Sequence, residues 1–349
     1  MYRGSAGATR ENPPVPGPLP PFRPSPWLPG AHAQTLAGSL LRGRAVPLRR
    51  ETLSTPDGDE LHVDHLDAPA GAPRLLVLHG LEGSSLSPSV QGLLRHARAH
   101  GLSAAVLNFR YCARDLWRPR RRIPNRRPRL YHSGETQDLA FVAETLASRE
   151  PSVPLLAAGV SLGGNSLLKW LGERPGQTAI RAAAAISVPF DLAAGARHLE
   201  TPMGRLYVRA FLRTLVPKSE DLARRFPEEG ARLDLPRARR AATFFEFDDA
   251  ATAPLHGFAG AEDYWARCSS IGFLGAIRVP VLCLSAEDDP FLPAEALARA
   301  VSAASPAVRV VTSRRGGHGG FVAGASPLSL SRWADETAVA WLADRARRL

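Results

Sequence analysis

The sequence predicts an α/β fold: a mostly parallel β-sheet flanked on both faces by helices, with a helical cap inserted between later strands. Two observations carry the sheet. Short apolar runs recur at residues 75–78, 104–107, 155–160, 182–187, 279–284 and 308–311, the pattern of strands buried on both faces. Helical patterns lie between most of them, at 91–100, 135–147, 165–172 and 294–303, each long enough for the crossover that joins parallel neighbours, and 328–347 closes the chain. A third observation gives the cap. About ninety residues, 191–278, separate the fourth and fifth runs, where a plain crossover is far shorter. That interval is rich in helix formers and in aromatic residues, among them Tyr207, Phe211, Phe244, Phe247, Tyr264 and Trp265.

The remaining elements follow in chain order. Residues 1–25 carry seven prolines, which cannot donate backbone hydrogen bonds and favour extended chain, so this stretch reads as a flexible tail ahead of one domain at 26–349. Two β-like stretches, 46–53 and 60–67, flank the turn signal Thr55-Pro56-Asp57-Gly58 and predict a hairpin. Of the 349 residues 44% are hydrophobic and 22% charged, enough to bury a substantial core and too apolar for a disordered chain. No run approaches the roughly 18 apolar residues of a membrane span, and prolines follow Met1-Tyr2-Arg3 where a signal core would be apolar; a soluble, cytoplasmic protein is expected. Cys112, Cys268 and Cys283 form neither a disulfide framework nor a CxxC pair and are expected to be reduced.

The formal charge of +11 is local. Residues 110–129 hold nine arginines against one aspartate, so that loop supplies +8 of it. The loop starts at the carboxyl end of a predicted strand, on the face where a ligand crevice opens. Its ordinary reading is a solvated insertion; its functional reading is a dock for an anionic membrane, with Trp117 at the headgroup layer and arginines on phosphates. Trp117 and Tyr111 are its only aromatics before Tyr131, too little stacking surface for nucleic acid to be an expected partner.

The chemistry starts at Gly159-Val160-Ser161-Leu162-Gly163, a GxSxG pattern. Such a pattern alone is common, but this one ends a strand-like run and opens a helix-like one, the context of a nucleophile elbow. A serine hydroxyl is a poor nucleophile until a base takes its proton and an acid orients that base. Asp289 lies just past the 279–284 run, and His318 lies after the last one within Gly316-Gly317-His318-Gly319-Gly320. Ser161, Asp289 and His318 thus stand in the chain order of α/β-hydrolase triads. The oxyanion donors expected are the backbone N–H of Leu162, next to the nucleophile, and of Leu81, in the loop after the first parallel strand. His79, at that strand's end, reads as structural.

The sequence resembles the YheT-like branch of the α/β-hydrolases over roughly residues 22–340. The resemblance rests on Trp27 with His32-Ala33-Gln34-Thr35, His79-Gly80-Leu81-Glu82-Gly83-Ser84, Asn108-Phe109-Arg110, Tyr131-His132-Ser133-Gly134-Glu135-Thr136, Ser161-Leu162-Gly163-Gly164-Asn165, Glu246-Phe247-Asp248-Asp249, Asp288-Asp289-Pro290-Phe291 and Gly316-Gly317-His318. It implies hydrolysis of carboxylic esters, often with short- to medium-chain acyl groups, and carries the family triad onto Ser161, Asp289 and His318. Where the family continues Phe-Arg-Gly-Cys-Ser-Gly, this chain has Phe109-Arg110-Tyr111-Cys112-Ala113-Arg114 and the enlarged basic loop.

Other residues are assigned smaller parts. Ser133 is expected to cap a helix beginning near Glu135, and Asp248 with Asp249 to anchor the cap. His62 and His65 are three apart on a strand and point to opposite faces, against a shared metal. No cofactor or metal is required. The expected activity is that of a serine carboxylesterase or lipase on a small-molecule ester; the alternatives are acyl transfer to an alcohol on the same triad, and a non-catalytic basic binding protein on a hydrolase scaffold.

Overall fold

A computed structural model of the chain describes residues 19–41, 43–326 and 329–349. Most of the proline-rich stretch, residues 1–18, lies outside the described residues. Its last part is packed: Phe22 stands 5.4 Å from both Phe321 and Trp333, and Pro20 O accepts the Trp333 indole N–H at 3.1 Å. Packed chain therefore begins ahead of the boundary expected at residue 26.

Eight strands form one sheet: β1 (Arg49–Ser54), β2 (Glu60–Leu66), β3 (Arg74–Leu78), β4 (Ser103–Asn108), β5 (Leu155–Val160), β6 (Ile180–Ile186), β7 (Val281–Ala286) and β8 (Val308–Ser313). Their spatial order is β1-β2-β4-β3-β5-β6-β7-β8. The hairpin β1–β2 is antiparallel and joins β4 antiparallel; every later pairing is parallel.

Alternation along each strand splits the core in two. Leu76, Leu78, Ala105, Leu107 and Ala157 face one side, under α3 (Gln137–Arg149) and α4 (Leu162–Glu173). Leu75, Val77, Val106, Leu156 and Ala158 face the other, under α2 (Pro88–Ala99) and the last helix, α13 (Trp333–Ala346). Burial on both faces is why the strands read as nearly unbroken apolar runs.

The apolar periodicity did not reveal α1 (Gly30–Leu40). This helix packs on the loop after β8 so closely that a Cβ at Gly38 would lie 2.5 Å from Gly319 O. The long interval between β6 and β7 is helical: α5 (Leu192–His198), α6 (Pro202–Arg225), α7 (Pro227–Gly230), α8 (Leu235–Arg240), α9 (Phe244–Phe247), a π-helical turn (Asp248–Thr252), α10 (Ala253–His256), α11 (Ala261–Cys268) and a 3-10 segment (Ser270–Ala276). The helix α12 (Ala294–Ala303) then connects β7 to β8.

Helix α3 starts later than expected and is not capped by Ser133. The Glu135 carboxylate accepts the N–H groups of Gln137 (3.0 Å) and Asp138 (3.3 Å), taking the capping place. The Ser133 carbonyl instead accepts from Asn165 and Ser166 of α4, both at 2.9 Å, tying the loop ahead of α3 to α4.

Candidate active site

Ser161 follows β5 directly and opens α4 with φ 53° and ψ −121°, a conformation that costs a non-glycine residue on the order of 1–3 kcal/mol. The sequence around it permits this turn because two side chains are missing. A Cβ on Gly159 would lie 2.6 Å from Gly163 O, and one on Gly163 would lie 2.5 Å from His79 O. The turn lifts the Ser161 hydroxyl to the carboxyl ends of the strands.

Two further loops meet it there. The Ser161 Oγ lies 2.8 Å from His318 Nε2, and His318 Nδ1 lies 2.9 and 3.1 Å from the two Asp289 oxygens. With Nδ1–H directed at the carboxylate, Nε2 is left as an acceptor facing the serine. Asp289 also accepts the Phe291 N–H at 2.7 Å, and the Phe291 ring lies flat on the imidazole at 4.1 Å. The structure thus brings together the three residues singled out in the sequence, from segments 29 to 157 positions apart.

Asp288 and Asp191, also just past strand ends, are engaged elsewhere. Asp288 accepts the Gly317 N–H at 2.9 Å, and its carboxyl is pushed up by burial. Asp191 caps α5 through Ala194 N at 2.9 Å and pairs with Arg299 at 2.7 Å.

Leu81 and Leu162 both line the cavity in front of Ser161. Leu162 N–H belongs to the first turn of α4, where helical N–H groups lack intrahelical partners. The Leu81 loop is fixed by His79, whose Nδ1 donates to Gly80 O at 2.8 Å while Nε2 accepts the Phe109 N–H at 3.1 Å. Burial pushes His79 down to about 4, so it stays neutral and keeps this tautomer. Its expected structural part fits those bonds.

Sequence reasoning assigned no work to Thr35, Gln34 or Ser187. The Thr35 hydroxyl accepts the His318 N–H at 2.9 Å, the Ser187 hydroxyl accepts the Gly319 N–H at 2.8 Å, and Gln34 exchanges bonds with both the N–H and the carbonyl of Val322. Together they fix the glycine-rich loop that carries His318. The signal for Gln34 and Thr35 was the His32-Ala33-Gln34-Thr35 stretch, whose part becomes clear only with α1 packed against that loop; Ser187, at the end of an apolar run, carried no signal.

The cavity wall comes mostly from the β6–β7 interval: Leu192, Leu199, Phe211, Leu215, Phe244 and Phe247, with Phe291 beside His318. Asp248 also reaches it, accepting from Trp265 Nε1 at 2.9 Å and Thr252 Oγ1 at 2.7 Å. Asp249 accepts from Ala261 N and from Arg237, tying α8 to α11. These bonds suit the anchoring part expected of the pair. His62 and His65 go separate ways, to Thr52 at 3.3 Å and Glu51 at 2.9 Å.

The basic loop is far less free than its charge implies. Arg110 is 2% exposed and grips Asp138 with two nitrogens while pairing with Asp59 at 2.7 Å and Asp57 at 3.0 Å. Burial opposes its charge, but these carboxylates outweigh burial and hold it firmly protonated. Arg122 meets Glu82, Arg126 meets Glu60, and Arg129 meets Glu135 and Asp57. Trp117, at 94% exposure, projects from the tip between Asp115 and Arg118.

Comparison with known proteins follows the same lines. The sequence profile described as the alpha/beta hydrolase fold matches residues 73–325. The chain is 34% identical to the candidate esterase YheT of Escherichia coli (strain K12), over 92% of each chain. It is 31% identical to phospholipase ABHD3 of Mus musculus, covering 88% of this chain and 74% of that one. Among solved structures, the Pyrococcus furiosus esterase Pf2001 superposes with a TM-score of 0.52 at 14% identity, covering 78% of this chain and 84% of that one, a likeness of fold.

Proposed function

The chain belongs to the α/β hydrolase fold family, and from that premise we propose that it hydrolyses carboxylic esters with Ser161 as nucleophile, His318 as base and Asp289 as orienting acid. The observation that carries this reading is the 2.8 Å contact between the strained Ser161 hydroxyl and His318 Nε2, with Nδ1 held by Asp289. As Ser161 attacks the ester carbonyl, its proton passes to His318 and the imidazolium is stabilised by Asp289. The Leu81 and Leu162 N–H groups receive the developing oxyanion. His318 then returns the proton to the leaving alcohol, and water admitted to the same base resolves the acyl-enzyme.

The apolar wall supports an acyl group as the part of the substrate it holds, since burial of methylenes is favourable by up to ~0.8 kcal/mol each. The names of the relatives, an esterase candidate and a phospholipase, are in keeping with an ester substrate here, and the family resemblance implies short- to medium-chain acyl groups. Acyl transfer is the same chemistry with an alcohol in place of water. Contact of the 110–129 loop with an anionic membrane survives in reduced form, through Trp117 and its neighbours Arg118 and Arg120, because most other arginines of the loop are engaged.

A panel of p-nitrophenyl esters with two to sixteen acyl carbons tests the reading. Catalytic efficiency should rise with chain length and then level off as the wall is filled, and Ser161→Ala should be inactive throughout. Efficiency that is flat from acetate to decanoate counts against an acyl pocket.

A further inference from the structure

The outer face of cap helix α6 differs from the rest of the charged surface. Between Pro202 and Arg213 its exposed positions are Pro202, Met203, Arg205, Leu206, Arg209, Ala210 and Arg213. Met203 and Leu206 are 45% and 55% exposed. Arg205, Arg209 and Arg213 recur every four residues and so form one stripe beside the apolar one. Helix α6 has no acidic residue before Glu220. Among the described residues none of these three guanidinium groups meets a carboxylate; Arg205 reaches only the backbone oxygen of Glu200, at 3.1 Å.

Helix α1 adjoins α6 at one contact. His32 Nδ1 lies 3.0 Å from the Tyr207 hydroxyl of α6, and one and two turns further along α1 come Leu36 and Leu40, 50% and 73% exposed. The cavity lies behind the contact. Tyr207 packs on Phe291 at 5.0 Å, Phe291 lies on His318, and Phe211, one turn on from Tyr207, lines the cavity.

Exposed apolar residues scattered singly need no explanation, but four on two adjoining helices, rimmed by unpaired cations and free of acids, have the composition of an interfacial surface. We propose that this α1–α6 face docks on an anionic lipid surface and presents the cavity behind α6 to acyl chains of esters held there. Docking stands on the surface alone; delivery of an ester rests on the esterase reading above. A second copy of this chain fits the face poorly, because two-fold apposition would set one arginine stripe against the other. The proposal also moves the main membrane contact from the 110–129 loop, five of whose nine arginines meet carboxylates, to the stripe of Arg205, Arg209 and Arg213, none of which does so among the described residues.

The test is sedimentation of the full chain with vesicles of phosphatidylcholine alone or with 30% phosphatidylserine, at low and high salt. Binding should favour the anionic vesicles and fall with salt. At about fivefold per cation, replacing Arg205, Arg209 and Arg213 by serine should weaken it on the order of 100-fold. Met203→Ser with Leu206→Ser should weaken it at least tenfold, since each methylene buried in the acyl layer adds to binding. Both variants should hydrolyse soluble p-nitrophenyl butyrate like the parent, and Trp117→Ala with Arg118→Ser and Arg120→Ser should change binding by a few-fold at most. Undiminished binding by the arginine-stripe variant overturns the proposal, as does loss confined to the Trp117 variant, or a dimer, seen by sedimentation velocity, that the α6 substitutions break. Anionic binding that follows α6 in a chain with no turnover of any soluble ester upholds docking and sinks the esterase reading instead.

Discussion

The hydroxyl of Thr35 accepts the backbone N–H of His318 at 2.9 Å, joining a helix at the start of the chain to a loop 283 residues later. Thr35 is 3% exposed and donates in turn to Ala31 O at 2.7 Å, so its orientation is fixed. Thr35→Val keeps the shape and removes the acceptor, leaving a buried N–H unsatisfied at a cost of about 1–3 kcal/mol. We expect kcat to fall roughly tenfold with KM within twofold, because a loosened His318 loop damages proton transfer more than binding. Steady-state kinetics with p-nitrophenyl butyrate check this, with Thr35→Ser restoring most of the rate; a kcat within twofold of the parent contradicts it.

Three aspartates stand near strand ends, and their bonds rank them. Asp289→Asn should lower turnover by roughly 10³ to 10⁴, since an amide facing His318 Nδ1 favours the wrong tautomer. Asp288→Asn, which can still accept from Gly317, should cost about tenfold at most, and Asp191→Asn, at a helix cap, no more than a few-fold. Turnover numbers for the three variants decide the order, and a mild Asp289→Asn would overturn it.

Arg110 anchors the root of the basic loop to Asp138, Asp59 and Asp57. Removing one side of a buried ion-pair cluster strands the other charges, at about 3–5 kcal/mol. Urea denaturation should show a loss of that size for Arg110→Met and a change within about 0.5 kcal/mol for Arg120→Ser at the exposed tip. Equal stability of the two variants would remove Arg110 from this structural part.

Stability should fall in mild acid. Burial lowers His79 to about 4 and His132 to about 3, and pushes His256 down as well. The unfolded chain takes up protons at these histidines from an ordinary value of 6.5 downward while the native chain does not, so stability present above pH 6.5 is lost as pH drops toward 3. Asp248 has the opposite sign. Burial raises it to about 6 from 3.8, so stability is lost as pH rises from 3.8 to about 6 and the penalty is complete above that. Urea midpoints should therefore drop between pH 6.5 and 4, and Asp248→Asn should gain about 1–3 kcal/mol at pH 8 but nothing at pH 4. A midpoint that stays level from pH 7 to 4 argues against the buried neutral histidines.

The sheet was legible because its strands are buried on both faces; each expected apolar run falls on a strand, with ends shifted by a residue or two. The residues of the site were legible for a different reason. A nucleophile elbow needs glycines at fixed offsets, and acid and base must follow later strands, so Ser161, Asp289 and His318 could be singled out before any distance was known. Pairings across the chain were not legible. Helix α1, built of GAHAQTLAGSL, has no acid in its first turn and no base in its last, and its small residues reflect contact with the His318 loop more than an amphipathic period. The arginines of the basic loop read as free charge because Asp57, Asp59, Glu60, Glu82 and Asp138 meet them only in the folded chain. Ser133 has a capping residue's chemistry, but the helix starts at Gln137 and its first N–H groups go to the Glu135 carboxylate.

The most direct measurement is covalent labelling of the full chain with a fluorophosphonate, located by peptide mass spectrometry. An activated serine is required for fast phosphonylation, so the parent should take up one label, on Ser161, and lose ester hydrolysis in proportion. Ser161→Ala should remain unlabelled and lose nearly all hydrolysis, and His318→Ala should label at least a thousandfold more slowly. Labelling at another serine, or ester turnover by Ser161→Ala within a few-fold of the parent, would contradict the account.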